Sequence, residues 1–303
     1  MKRIVNFLLF ILVLSFIACE NQGPNQNNQN AGNTGNVQPN DSIGTTDSIN
    51  NSKTKYLIEE YRKIVYLSPD NQVDEDTYLP YKVIYEREKD PRLLKNQITY
   101  VGDELTEKIV MQYEGDTQYF KSSLGEDYSQ TIIWLDEKHD KPKEIITLFN
   151  TSVYTYDAMG RLLRIGYYQD DALNNEEKYT YDGLTQYLNS ERDKGMYTQY
   201  LRNDTIVYLD DSYEKVSYRR QVSVFGMPER YYISQSFYEY GPYGLIKEYG
   251  DAKHFGLNGE LDEFNEWTVT YTWEDDLNCS WVEDFYKDGK LLQRREGYMK
   301  YTY

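Results

Sequence analysis

Histidine and cysteine are nearly absent: two of each in 303 residues. A three-histidine metal site cannot be built from that supply, and a thiolate site is equally out of reach. Basic residues are also short, 33 against 50 acidic, for a formal charge of −17. Such a surface repels phosphate backbones, so no nucleic-acid partner is expected. No Gly-x-Ser-x-Gly elbow and no glycine-rich phosphate loop occurs, so neither a serine hydrolase nor a nucleotide cofactor is indicated. No cofactor is expected. Beyond the first eighteen residues no apolar run approaches the ~20 residues of a spanning helix. What is abundant is tyrosine, 33 residues, in a chain that is 16% aromatic and 39% hydrophobic. That is a polar, sheet-forming composition.

The chain opens with Lys2 and Arg3, followed by an apolar run from Ile4 to Ala18 broken only by Asn6 and Ser15. The run is too short to span a bilayer and has the form of a signal-peptide core. Ala18 stands directly before Cys19, and the segment resembles a bacterial lipoprotein signal, with Phe16 where such signals usually carry Leu. The resemblance implies cleavage before Cys19 and lipid on its sulfur and amine. The membrane is then a partner through the lipid alone. The expected address is the cell envelope, at the outer membrane, with the membrane face left open. An ordinary secretory signal is the alternative. If Cys19 carries lipid, Cys279 has no intrachain partner and reads as a small buried residue. Loss of residues 1–18 removes Lys2 and Arg3, leaving 31 basic against 50 acidic residues, or −19.

Residues 19–52 lack aromatics and are dominated by Asn, Gln, Gly, Ser and Thr. They cannot bury enough apolar surface to offset ordering, and read as a disordered tether of about 30 Å root-mean-square span. Residues 53–303 read as one tyrosine-rich domain. In Tyr56–Leu67, Leu57, Ile58, Tyr61, Ile64 and Val65 fall on one helical stripe, with Ser52 or Thr54 as cap and Pro69 beyond the end. That predicts a short N-terminal helix, with a strand as the alternative because Ile64-Val65-Tyr66 is β-rich.

Thereafter the period is two. In Trp267-Thr268-Val269-Thr270-Tyr271-Thr272-Trp273 the large groups share one face and three threonines the other. Tyr81–Tyr85 and Gln221–Phe225 alternate likewise. Turn clusters at Lys89-Asp90-Pro91, Gly102-Asp103, Asp140-Lys141-Pro142, Gly226-Met227-Pro228 and Lys287-Asp288-Gly289 separate the runs. Short connections make antiparallel hairpins. The predicted fold is all-β, a long meander forming a curved or coiled sheet.

One element recurs as Tyr154-Thr155-Tyr156, Tyr179-Thr180-Tyr181, Tyr271-Thr272-Trp273 and Tyr301-Thr302-Tyr303. A turn follows the first two, Asp157-Ala158-Met159-Gly160 and Asp182-Gly183, where Asp binds backbone and Gly supplies positive φ. Tyr156-Asp157-x-x-Gly160-Arg161-Leu162 with Tyr181-Asp182 resembles the YD repeat of RHS-type proteins and of YD-repeat lipoproteins. The resemblance touches about half of the folded region and nothing before Thr131. It implies long antiparallel strands coiling into a curved sheet, and carbohydrate binding in some members, without a defined binding residue here.

Adjacent acids at Glu176/Glu177, Asp210/Asp211, Asp275/Asp276 and Glu283/Asp284 point to opposite faces if in strands, so they cannot act together as a glycosidase pair. The oxygen-rich stretches Asp170–Glu177 and Leu257–Glu266 lack EF-hand spacing, and no metal is expected. His139, in a hairpin turn, reads as solvent-exposed, and His254 carries no signal. No catalytic residue is assigned. The aromatics remain as recognition candidates, with Trp267, Tyr271 and Trp273 foremost, against the ordinary use of such residues as sheet packing. The leading reading is a non-enzymatic, lipid-anchored envelope protein binding a glycan or a protein on a tyrosine-rich sheet. A carboxylate glycoside hydrolase, and an acidic scaffold or inhibitor of a basic protein, are the alternatives. A transmembrane barrel is disfavoured by the lipoprotein signal, the polar tether and the want of apolar-out strands.

Overall fold

Alternation of large and polar side chains, broken by turn residues every several positions, makes one strand after another along the chain. The computed structural model describes residues 54–303 apart from 69–77, 126–128, 137, 192–198, 226–229 and 257. Cys19, the signal and the tether lie outside the described residues, as does the Gly226-Met227-Pro228 turn.

Eighteen strands are present. The first group is β1 (Tyr56–Leu67), β2 (Tyr81–Arg87), β3 (Leu94–Val101), β4 (Glu104–Glu114), β5 (Thr117–Ser122) and β6 (Gln130–Trp134). Then come β7 (Pro142–Thr147), β8 (Thr151–Tyr156), β9 (Leu162–Gln169), β10 (Ala172–Asp182), β11 (Thr185–Glu191) and β12 (Gln199–Tyr208). The last are β13 (Val216–Phe225), β14 (Arg230–Tyr240), β15 (Leu245–Phe255), β16 (Leu261–Trp273), β17 (Asn278–Lys287) and β18 (Lys290–Thr302). Each pairs antiparallel with the next, and β1 pairs with both β2 and β18. The sheet closes on itself as a barrel.

Two expectations are thereby corrected. Tyr56–Leu67 is a strand, not a helix, and no helix occurs among the described residues. Its β-branched, aromatic stretch is taken up on both edges, by β18 from Tyr56↔Thr302 to Leu67↔Gln293 and by β2 from Glu59↔Ile84 to Arg62↔Tyr81. Pairing on two sides outweighs a local helical stripe. The sheet is also closed rather than open. The closing seam joins the two ends of the domain, and the Tyr61 and Tyr298 rings stack across it at 5.2 Å.

Burial distinguishes the two faces of the wall. Val83, Thr99, Ile109, Phe120, Ile132, Ile165, Leu188, Asp204, Ala252 and Val269 are buried, and the registers place them all on one face, which is the inner one. Tyr56, Asn96 and Val224 are the departures, each beside a register shift. The apolar core occupies one arc, β3 to β6, where Leu94, Ile109, Met111, Phe120, Ile132 and Trp134 pack with Tyr85, Tyr113 and Ile145. Each such side chain contributes about 1.5–3 kcal/mol.

The outer face is mixed: Val207, Tyr218, Phe237 and Tyr249 form one directly opposed row over β12 to β15, and a polar row lies beside it. Thr205, Arg220, Gln235, Asp251 and Glu266 stand in one directly opposed row over β12 to β16, with Gln235 donating to Asp251 at 2.6 Å. At the seam, outward Glu59 accepts from Tyr298 at 2.5 Å and pairs with Lys82 at 3.1 Å and Lys300 at 3.6 Å. Asp284 accepts from Arg294 Nε and Nη2, at 2.6 and 2.7 Å.

Candidate functional site: an aromatic and acidic patch on the inner face

The patch grows from glycines. Gly250 in β15 faces Trp267 in β16, and Gly297 in β18 faces Trp281 in β17. A Cβ on Gly250 would lie 2.6 Å from Trp267 Cζ2, and one on Gly297 2.6 Å from Trp281 Cζ2 and 2.7 Å from its Cε2. Each would also collide with a backbone carbonyl of the next strand, Gln235 for Gly250 and Tyr61 for Gly297. Only a residue without a side chain fits, and the indole covers the bare backbone, as aromatic residues do over sheet glycines.

Between the two pairs run polar groups. One row across β15 to β18 reads Glu248, Val269, Glu283, Arg295. A local two-fold axis between β16 and β17 exchanges Trp267 with Trp281, Gly250 with Gly297, Tyr271 with Phe285 and Glu248 with Arg295. Arg295 Nη1 stands 3.2 Å from Glu283 Oε2, and these side chains keep 40% and 25% of their surface exposed, so solvent reaches the patch. Burial raises the pKa of Glu248. The Trp267 hydrogen bond opposes that rise, the Glu283 carboxylate adds to it, and Arg219 opposes it. Burial, with Glu248 and Glu283 beside it, pushes the Tyr271 hydroxyl upward too. The patch therefore offers flat aromatic surface, donors and acceptors together, the combination that polyhydroxylated rings require.

All three sequence candidates lie on this inner face, with different neighbours. Trp267 and Tyr271 flank Val269. Trp273 sits at the strand end, over Gly244, donating its Nε1–H to the Leu245 carbonyl at 2.9 Å and stacking on Tyr301 at 5.7 Å. Lys55 lies 4.9 Å from its ring centre. Trp281, Glu248, Gly250 and Gly297 were missed. The signal that could have found them is a repeated spacing, Glu248-x-Gly250 with Trp267-x-Val269-x-Tyr271 and Arg295-x-Gly297 with Trp281-x-Glu283-x-Phe285.

The Tyr-Asp turn is built by one of its two acids. Asp157 accepts from the backbone N–H of Met159 and of Arg161, both at 2.9 Å, and from Arg161 Nε at 2.7 Å, while Gly160 takes φ +78°. The Arg161 guanidinium lies 4.4 Å over the Tyr181 ring, so Tyr156-Asp157 and Tyr181 are joined. Tyr156 donates to the Pro142 carbonyl at 2.9 Å. Asp182 is exposed at the end of β10.

A duplication extends further than the Tyr-Asp pattern. Tyr113-Glu114-Gly115-Asp116-Thr117-Gln118-Tyr119 recurs 68 positions later as Tyr181-Asp182-Gly183-Leu184-Thr185-Gln186-Tyr187. Tyr113 and Tyr181 each donate to a carbonyl nineteen residues back, Leu94 and Leu162, at 2.8 and 3.0 Å. Each hydroxyl accepts from the Gln five residues on, at 2.8 and 2.6 Å. Each Gln accepts in turn from an aromatic donor, Trp134 Nε1 at 3.1 Å or Tyr208 at 2.8 Å. A third ring closes each corner edge-on, His139 in one and Tyr213 in the other, with φ of 56° and 57°. This duplicated corner includes residues before Thr131. His139 is in a turn, as read, but is buried rather than solvent-exposed.

The remaining candidates resolve simply. Cys279 is buried, and burial pushes its thiol up to about 11. Glu176 faces outward to Arg164 at 2.8 Å while Glu177 faces inward and accepts from Tyr179 at 2.6 Å. Glu283 and Asp284 divide in the same way, to Arg295 and Arg294. Asp210 and Asp275 hold turn backbone, and Asp276 accepts from Tyr303. His254 packs against Tyr232 at 4.8 Å. Among the described residues no three His, Cys, Asp or Glu side chains converge as metal ligands.

No protein-family model matches the chain, and no curated protein does. Among solved structures it is similar to a porin-like protein from Bacteroides uniformis ATCC 8492, at 12% identity and TM-score 0.41, over 82% of this chain and 96% of that one. It is also similar to a porin-like protein from Bacteroides vulgatus ATCC 8482, at 12% identity and TM-score 0.37, over 82% of this chain and 98% of that one.

Proposed function

We propose that this chain is a lipid-anchored envelope protein of the YD-repeat kind, a non-enzymatic module whose barrel stands in water and binds a glycan on its inner face. The observation that carries the glycan reading is the pair of indoles covering Gly250 and Gly297, with Glu248, Glu283 and Arg295 between them. Aromatic faces stack on the apolar face of a sugar ring, and the charged groups hydrogen-bond its hydroxyls. The reading that the wall faces water rests on the outward row Thr205, Arg220, Gln235, Asp251, Glu266. A lipid-facing wall needs an unbroken apolar band roughly 25 Å tall, and charges at its middle cost about 2–4 kcal/mol each for Lys or Arg.

The test is a glycan and envelope-polysaccharide screen on the mature lipidated chain, beside a Trp267→Ala, Trp281→Ala variant checked for retained near-ultraviolet dichroism. Binding that the variant loses supports the module. Absence of binding to every glycan overturns it in favour of a protein partner. The anchor is tested separately. Cys19→Ser is expected to abolish incorporation of labelled palmitate and to release the chain from the membrane fraction. Membrane retention by that variant would overturn the lipid anchor.

A further inference from the structure

The two aromatic positions of the patch are far apart. Gly250 and Gly297 are separated by three strand spacings across the sheet and four residues along it. At ~4.8 Å per strand and ~3.4 Å per residue that diagonal is about 20 Å. A single sugar ring cannot touch both indoles. The polar row Glu248, Val269, Glu283, Arg295 crosses the diagonal between Val269 and Glu283, so a ligand reaching from one indole to the other passes beside Glu283 with Glu248 and Arg295 on its two flanks.

Resting on the glycan reading above, we infer that the site takes an extended, uncharged oligosaccharide that runs diagonally from Trp267 to Trp281, rather than a monosaccharide or an anionic polysaccharide. The guanidiniums beside the Glu248 and Glu283 carboxyls are already engaged, Arg295 with Glu283 at 3.2 Å and Arg219 with Asp204 at 2.7 Å. The whole chain carries −17 as well. An anionic glycan would compete with those carboxylates for the guanidiniums and meet repulsion from the chain as a whole. A neutral chain meets acceptors from Glu283 and Glu248 and donors from Arg295. The local two-fold supplies two end subsites of like composition, each an indole laid over a glycine.

The experiment is titration of the full mature chain with neutral gluco-, manno-, xylo- and N-acetylglucosamine oligosaccharides from one to six units, followed by tryptophan fluorescence and calorimetry. Affinity is expected to rise with length and then level off once the diagonal is spanned. Trp281→Ala is expected to weaken the longer ligands about ten-fold, equivalent to ~1.4 kcal/mol, and to flatten the length dependence. Trp281→Phe, which keeps a ring over Gly297, is expected to restore most of it and guards against misfolding. Binding that is independent of length, or that Trp267→Ala abolishes while Trp281→Ala leaves unchanged, would overturn the extended ligand and leave a one-subsite binder standing. Tighter binding of hexuronate oligomers than of neutral ones would overturn the uncharged class. No binding to any member would overturn the glycan reading itself.

Discussion

Gly297 and Trp281 oppose one another across β17 and β18, and the indole occupies the space in which any other residue would place its Cβ. The same relationship holds for Gly250 and Trp267 one strand pair away. Position, not conformation, demands the glycine, since neither residue has positive φ. Gly297→Ala is therefore expected to destabilise by about 2 kcal/mol or more, because the Tyr61 carbonyl cannot move aside as a side-chain tip could. Urea unfolding of the variant measures it. A midpoint within error of the parent would refute the steric account.

The duplicated corners give a second prediction. Gln118 joins Tyr113 to Trp134, and Gln186 joins Tyr181 to Tyr208. Replacing either Gln by Leu leaves two polar aromatic groups short of a partner, at about 1–3 kcal/mol. The two corners share none of these side chains, so the effects are expected to add within ~0.5 kcal/mol in the double variant. Marked non-additivity would mean that the corners communicate.

Asp157 and Asp182 were read as equivalent turn acids, and the structure makes them unequal. Asp157→Asn removes the charge from three hydrogen bonds and the pair with Arg161, with an expected cost of about 1–2 kcal/mol. Asp182→Asn is expected to fall within ~0.5 kcal/mol of the parent. Thermal melts of the two side by side decide it, and equal losses would contradict the assignment.

The inner carboxyl Glu248 makes stability depend on pH. Burial raises its pKa in the folded chain. Between the ordinary carboxylate value and the raised one, the folded state holds more protons than the unfolded state. The unfolding free energy therefore falls as pH rises through that window. Below the ordinary value the penalty is absent, and above the raised value it is complete. Glu248→Gln removes the penalty, so the variant is expected to gain on the parent as pH rises from the ordinary carboxylate range toward neutrality. Outward Asp284, whose pKa Arg294 lowers, acts with opposite sign: its contribution is present above the ordinary value and is lost as pH falls through the lowered one. Melting temperatures of parent and Glu248→Gln from about pH 3 to about pH 8 test the assignment. A difference that does not change with pH would remove Glu248 as its source.

Much of the strand pattern was legible. Trp267 to Trp273 alternates as read, the adjacent acids of β10 and β17 part to opposite faces, and Asp157 and Gly160 make the turn that their types imply. The site was legible only in part. Trp267 and Tyr271 were visible as aromatics on one face, but Trp281 shares its face with Glu283, so no continuous apolar stripe marked it. Glu248 carried no local mark at all. The Tyr-Asp pattern drew attention to residues after Thr131 and away from Tyr113 to Tyr119, where the same corner stands.

Period-two alternation, turn residues and tyrosine content determined an antiparallel meander, because hairpins are local and their signals lie within a few residues. The apolar stripe in Tyr56–Leu67 was ambiguous for the same reason: a local pattern cannot report a partner that lies more than 200 residues away at β18. Closure of the sheet, the charged row on its outer wall and the gathering of Trp267, Trp281, Glu248, Glu283 and Arg295 on one inner surface were decided by tertiary structure. Register sets which side chains share a row, and in a closed barrel the last register, β1 on β18, exists only once every other strand is in place.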